Sequence, residues 1–161
     1  MRLCGGLAAG SSLTVKEVHL VVGVLAIALN AIAGLYGAWC WWRARPSAWF
    51  WRILRAGQAV VVVEVALGGV LALLGHKASG LHVLYGVLPL LVSLLAEQLR
   101  ISIPQMVLDA RGFESAQAVG ELPEEEQRGI VATILQREIG VMALAAIVVV
   151  VLLARAAGTA G

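Results

Sequence analysis

VHLVVGVLAIALNAIAGLYGAWCWW, residues 18–42, decides the fold: it holds no charged side chain and no proline. It is longer than the ~20 residues that a helix rising ~1.5 Å per residue needs to cross a ~30 Å hydrocarbon layer. Three further apolar runs follow, over residues 53–75, 81–99 and 139–154. The last is short, but its helical pattern continues upstream. The chain has 161 residues, 60% of them hydrophobic and only 14% charged, a balance that no soluble domain shows. The expectation is an all-α integral membrane protein, a single domain folded as an up-and-down bundle of four transmembrane helices.

The first run is too long for the apolar core of a cleavable signal peptide and lacks a small-residue cleavage site after it, so it is expected to stay in the mature protein. Cys4 and Cys40 flank the first helix and are expected on opposite membrane faces, which excludes an internal disulfide or a cysteine metal motif. A net charge of +2 with no basic run gives no footprint for nucleic acid.

Arg43, Arg45, Arg52 and Arg55 crowd the first connection, which the positive-inside rule places in the cytoplasm. Alternation then puts the His76–Lys77 connection and both termini outside a cytoplasmic membrane. Of the 12 lysines and arginines, only Arg2, Lys16, Lys77 and Arg155 fall outside. Trp39, Trp41, Trp42, Trp49 and Trp51 all lie at the arginine-rich face, where amphipathic rings prefer the headgroup layer. The connection over residues 104–136 is the one sizeable region expected beyond the bilayer. Leu122-Pro123 followed by Glu124, Glu125 and Glu126 reads as a helix start, and Ile130, Val131, Ile134 and Leu135 form an apolar stripe leading into the last span.

The starts of helices one and three match. Glu17-Val18-His19-Leu20-Val21-Val22-Gly23 aligns with Gly80-Leu81-His82-Val83-Leu84-Tyr85-Gly86, and the same offset sets Asn30 against Ser93. On helix one His19, Gly23, Ala26, Asn30, Ala33 and Gly37 share a face; on helix three His82, Gly86, Pro89, Ser93 and Ala96 do. Small residues mark packing faces, so both histidines are expected to point into the bundle at one depth, near the outer side. Two imidazoles facing each other across a core are what a six-coordinate haem iron requires, with Gly23 and Gly86 making room for the porphyrin.

Histidine-glycine helices in a four-helix membrane bundle resemble the b-type cytochromes of the b561 kind and the halves of haem A synthase. That resemblance implies haem b on His19 and His82, and electron exchange with a quinone or a redox partner. The stretch Arg137-Glu138-Ile139-Gly140-Val141-Met142, with the ending Arg155-Ala156-Ala157-Gly158-Thr159, resembles small membrane proteins of actinobacteria, which brings no function with it.

Glu64 lies eleven residues from either end of the second run. An ionised carboxylate at mid-bilayer costs at least ~2.5 kcal/mol. It is expected in neutral form, on the close-packing face of Gly57, Val61, Gly68, Leu71 and Gly75, in a central polar layer with Asn30 and Ser93. Glu97, Arg100, Arg137 and Glu138 are expected to form interfacial ion pairs, and His76 to be solvated. Two other readings stay open beside the haem protein: a non-catalytic accessory or assembly subunit of a larger membrane complex, and a small ion or solute carrier centred on Glu64 that works as a homo-oligomer.

Overall fold

The computed structural model describes residues 5–113 and 115–159, with side chains from Val15 onward. The expected connection of Cys4 to one face lies outside the described residues. Five helices account for nearly all of the described chain: α1 (Gly5–Trp42), α2 (Ala48–Leu73), α3 (Gly80–Ala110), the short α4 (Ala116–Gly120) and α5 (Glu124–Gly158). Four of them are long and apolar enough to cross a membrane. Leu20, Leu35, Leu73 and Leu144 stand at 69%, 71%, 90% and 63% exposure, which a lipid solvent accommodates and water does not. The protein is a multi-pass membrane helical bundle.

Neighbouring helices run antiparallel. α1 packs closely against α2 and α5, and α3 closely against α5, whereas α2 and α3 meet along a much sparser seam. α1 and α3 therefore stand diagonally across the bundle. Their buried faces are the ones that small residues mark: Ala26, Asn30, Ala33 and Gly37 on α1, Pro89 and Ala96 on α3. Gly37 lets α1 meet the ring of Phe50 and Ala143; Gly34 faces Ile147 across the same contact. Around them Cys40, Leu54, Ile139 and Met142 fill the half of the core nearer the α1–α2 turn. Ala26, Val61, Val149 and Leu153 fill the half nearer the termini.

The structure moves two boundaries. α2 ends at Leu73, and Gly75 turns the chain with φ +83, a backbone that glycine adopts freely, so Gly75 is not part of the packing stripe. α3 does not stop near Pro104 but runs on to Ala110. An interior proline forfeits a hydrogen bond and costs ~3 kcal/mol, but here burial offsets it: Ile103, Val107 and Leu108 pack against Ile130 of α5, with Phe113, Val119 and Leu122 beside them. α5 begins where Pro123 and the three glutamates indicate, with Pro123 as the N-cap residue, and continues without a break into the last span. At ~1.5 Å per residue α3 is ~46 Å long and α5 ~52 Å, so one end of this pair projects well past a ~30 Å hydrocarbon layer.

Candidate functional site

His19 and His82 meet. Their ring centres lie 6.2 Å apart with the planes at 72°. α1 and α3 deliver them from diagonal corners of the bundle, at the end that carries the chain termini. Each is only partly buried, and His19 keeps 21% of its side-chain surface exposed.

The two rings are oriented by different neighbours. His82 Nδ1 lies 2.9 Å from the carbonyl oxygen of Ala156 in the last turn of α5. A carbonyl only accepts, so Nδ1 carries the proton and, in the neutral ring, Nε2 keeps the free lone pair. That carbonyl also accepts from the Thr159 hydroxyl at 3.0 Å and the Thr159 N–H at 3.1 Å. The start of α3 is fastened to the same place: Ser79 caps α3 by accepting from the His82 N–H at 3.1 Å, and its hydroxyl donates to the Thr159 carbonyl at 2.9 Å. Arg155 lies 5.7 Å from the Tyr85 ring centre.

His19 is held from α2. Its Nδ1 is 3.2 Å from Glu64 Oε1, close enough for an ion pair but at an angle that makes no hydrogen bond, and Glu64 Oε2 is buried without a partner. Sequence spacing put Glu64 level with Asn30 and Ser93, and the structure separates them. The reason is antiparallel register. Gly57 of α2 lies against the Asn30 amide, so each step along α2 from there rises opposite an earlier residue of α1. Seven residues on from Gly57, Glu64 comes opposite Gly23, seven before Asn30, about 10 Å away along the helix axis. Asn30 and Ser93 do share a small cavity, but their third polar neighbour there is Gln58. Asn30 Nδ2 donates to the Ala26 carbonyl at 2.8 Å and Ser93 to the Pro89 carbonyl at 2.8 Å, so both are satisfied within their own helices.

The two glycines of the half-repeat differ. A Cβ on Gly23 would stand 2.8 Å from Glu64 Oε1, so the carboxylate already fills that notch; a Cβ on Gly86 would meet nothing within 4 Å. Gly86 therefore packs against no other helix, unlike Gly23. Two imidazoles bound trans to one metal would have centres ~6.4 Å apart, taking ~2.1 Å per metal–nitrogen bond and ~1.1 Å from nitrogen to ring centre. The observed 6.2 Å is close to that separation, with the two rings in edge-to-face contact. Among the described residues no three of histidine, cysteine, aspartate and glutamate are grouped to hold a bare metal ion. His76 lies in the α2–α3 connection, half-buried, with its Nδ1 covered and without a protein partner.

Glu97, Arg100 and Glu138 form the expected ion pairs at the opposite end, whereas Arg137 has no carboxylate within ion-pair distance among the described residues. Glu97 accepts from Arg55 at 2.6 and 3.1 Å, from Gln58 at 3.0 Å and from Arg100 at 3.1 Å. Arg100 also reaches Glu138 at 3.8 Å and lies over the Trp51 ring. The position of Arg55 in this network was not signalled by helical spacing, since the partners are on different helices. Comparison with protein-family models, curated proteins and solved structures finds no match for this chain.

Proposed function

We propose that the protein is a small membrane b-type haem protein, in which His19 and His82 would hold one haem. The observation that carries this reading is the imidazole pair, 6.2 Å between ring centres, brought together from diagonal helices. Two imidazoles are the protein ligands needed by an iron that brings four nitrogens of its own. Haem bound there supplies one-electron chemistry. The chain's own part is orientation: the Ala156 carbonyl fixes the His82 tautomer with Nε2 free to ligate, while Glu64 Oε1 stands 3.2 Å from His19 Nδ1. With the arginine-rich turn in the cytoplasm, the haem would lie near the outer face of the cytoplasmic membrane and exchange electrons with a quinone or a redox partner there.

The test is a reduced-minus-oxidised absorption spectrum of protein purified in mild detergent, beside His19→Ala and His82→Ala. A b-type signal lost in both variants is the expected result. A haem-free, well-folded wild type would overturn the reading.

A groove on the far side of the bundle favours a second reading, an accessory subunit of a larger membrane complex. Pro46 of the α1–α2 turn and Val131, Ala132 and Leu135 of α5 line it, with Glu124, Gln127 and Arg128 at its rim. Co-purification of a stoichiometric partner, lost on Val131→Glu, would support that role.

A further inference from the structure

The turn between α1 and α2 concentrates cations that pair with no carboxylate among the described residues. Arg43 and Arg45 lie in it, and Arg52 follows in the second turn of α2. Among the described residues Arg55, Arg100 and Arg128 have carboxylate partners, whereas Arg43, Arg45 and Arg52 have none within ion-pair distance. Two of the three are held in place by aromatic rings instead. The guanidinium of Arg43 lies 6.0 Å from the Trp39 ring centre and that of Arg52 5.1 Å from the Trp49 ring centre. Indole faces attract a cation without cancelling its charge, so both guanidiniums stay available to an anion.

The platform beneath them is braced. Trp39 stacks on Tyr36 with ring centres 5.9 Å apart, and the Tyr36 hydroxyl and Ser47 Oγ share a hydrogen bond of 2.9 Å that ties the end of α1 to the start of α2. Ala44 takes φ +50 to make the turn between them. Around this turn Trp42 and Trp49 are 79% and 64% exposed. Exposed indoles at the end of a membrane span belong in the headgroup layer, and that places the three arginines among lipid phosphates.

We propose that this turn is a binding site for an anionic phospholipid, with the phosphodiester held by Arg43, Arg45 and Arg52 and the glycerol region lying against Trp42 and Trp49. Guanidinium is suited to the task because its planar fork meets phosphate oxygens two at a time. A lipid with net negative charge is favoured over a zwitterionic one, whose own cation would be brought up to three unpaired arginines. The inference is independent of the haem reading, since the turn is at the opposite end of the bundle from His19 and His82.

Native mass spectrometry of the full chain, released from mild detergent after incubation with phosphatidylglycerol or phosphatidylcholine, tests it. Wild type should retain phosphatidylglycerol adducts and not phosphatidylcholine. Each basic residue at a membrane surface contributes about fivefold in affinity, so Arg43→Gln and Arg52→Gln should each weaken retention by about that factor and the triple Arg43→Gln/Arg45→Gln/Arg52→Gln variant by about a hundredfold. Lys16→Gln/Lys77→Gln, at the other face, should bind as wild type does. Equal retention of the two lipids would overturn the proposal, as would single variants that bind unchanged. Displacement of the lipid by inorganic phosphate at matched concentration would also overturn it, showing a site for a free anion. The single variants decide the matter if the triple variant does not fold.

Discussion

The carboxylate of Glu64 occupies the space that a side chain on Gly23 would need: its Oε1 is 2.8 Å from that Cβ position and 3.2 Å from Nδ1 of His19. One glycine on α1 thus admits a polar group of α2 to the side of the histidine. Gly23→Ala should force Glu64 out or push α1 and α2 apart, and overpacking of this kind costs about 1–3 kcal/mol. Gly86→Ala adds a methyl where nothing lies within 4 Å, and should leave the apoprotein's stability nearly unchanged. Denaturation midpoints of the two variants in one detergent make the comparison. Equal midpoints would show that Glu64 is not seated at Gly23.

A second glycine pair probes the closest helix contact. On Gly37 a Cβ would press into the Phe50 ring and stand 2.8 Å from the Ala143 Cβ, between three helices with no free volume; on Gly69 it would meet nothing. Gly37→Val should cost about 3 kcal/mol or more and show as aggregation on size-exclusion chromatography, whereas Gly69→Val should elute as wild type does. A well-behaved Gly37→Val protein would mean that α1, α2 and α5 do not converge there.

How far the sequence reached can be read from these same residues. Residues 18–42 and the three later runs announced four spans, because apolar length is a property of each segment alone. The small-residue stripes announced which faces pack, and Ala26, Asn30 and Ala33 are indeed buried. Helix spacing also brought His19 and His82 to one end of the bundle, since parallel helices with matching starts share depth. What spacing could not supply was the register between antiparallel helices. Counting from the ends of α2 put Glu64 at mid-bilayer; the contact of Gly57 with Asn30 shifts it towards His19. The Ala156 carbonyl was hidden for a related reason, as a backbone atom has no signature in the sequence. Pro104 misplaced the end of α3 because the gain from burying Ile103, Val107 and Leu108 on α5 is a tertiary effect.

At the other end, Glu97 is the main polar tie across the sparse seam between α2 and α3. It takes a two-pronged contact from Arg55 and further bonds from Gln58 and Arg100. Arg55 keeps 48% of its side-chain surface exposed, so solvent screens part of the attraction and Glu97→Ala should cost only about 1 kcal/mol. The more telling sign is ionic strength. The melting temperature of wild type should fall as salt rises from low to ~1 M, and that dependence should shrink in Glu97→Ala. An unchanged salt response would remove the network from any part in holding the seam.

The contact between His82 and Ala156 makes the end of α5 part of the candidate site. Shortening the chain after Arg155 removes the Ala156 carbonyl together with the Thr159 carbonyl that receives the Ser79 hydroxyl. Thr159→Ala removes the hydroxyl alone and leaves both carbonyls. Loss of an outer partner of a metal-bound histidine costs about tenfold or more in affinity, so under the proposed haem reading the shortened protein should lose haem on dilution or on challenge with apomyoglobin at least that much faster than wild type. Thr159→Ala should lose it at a rate near that of wild type. A shortened protein that keeps its haem as firmly as wild type would show that the carbonyl does not orient the ligand, and one that loses helix content by circular dichroism would assign the end of α5 to stability instead. The two variants therefore separate a positioning role for the Ala156 carbonyl from a merely structural one.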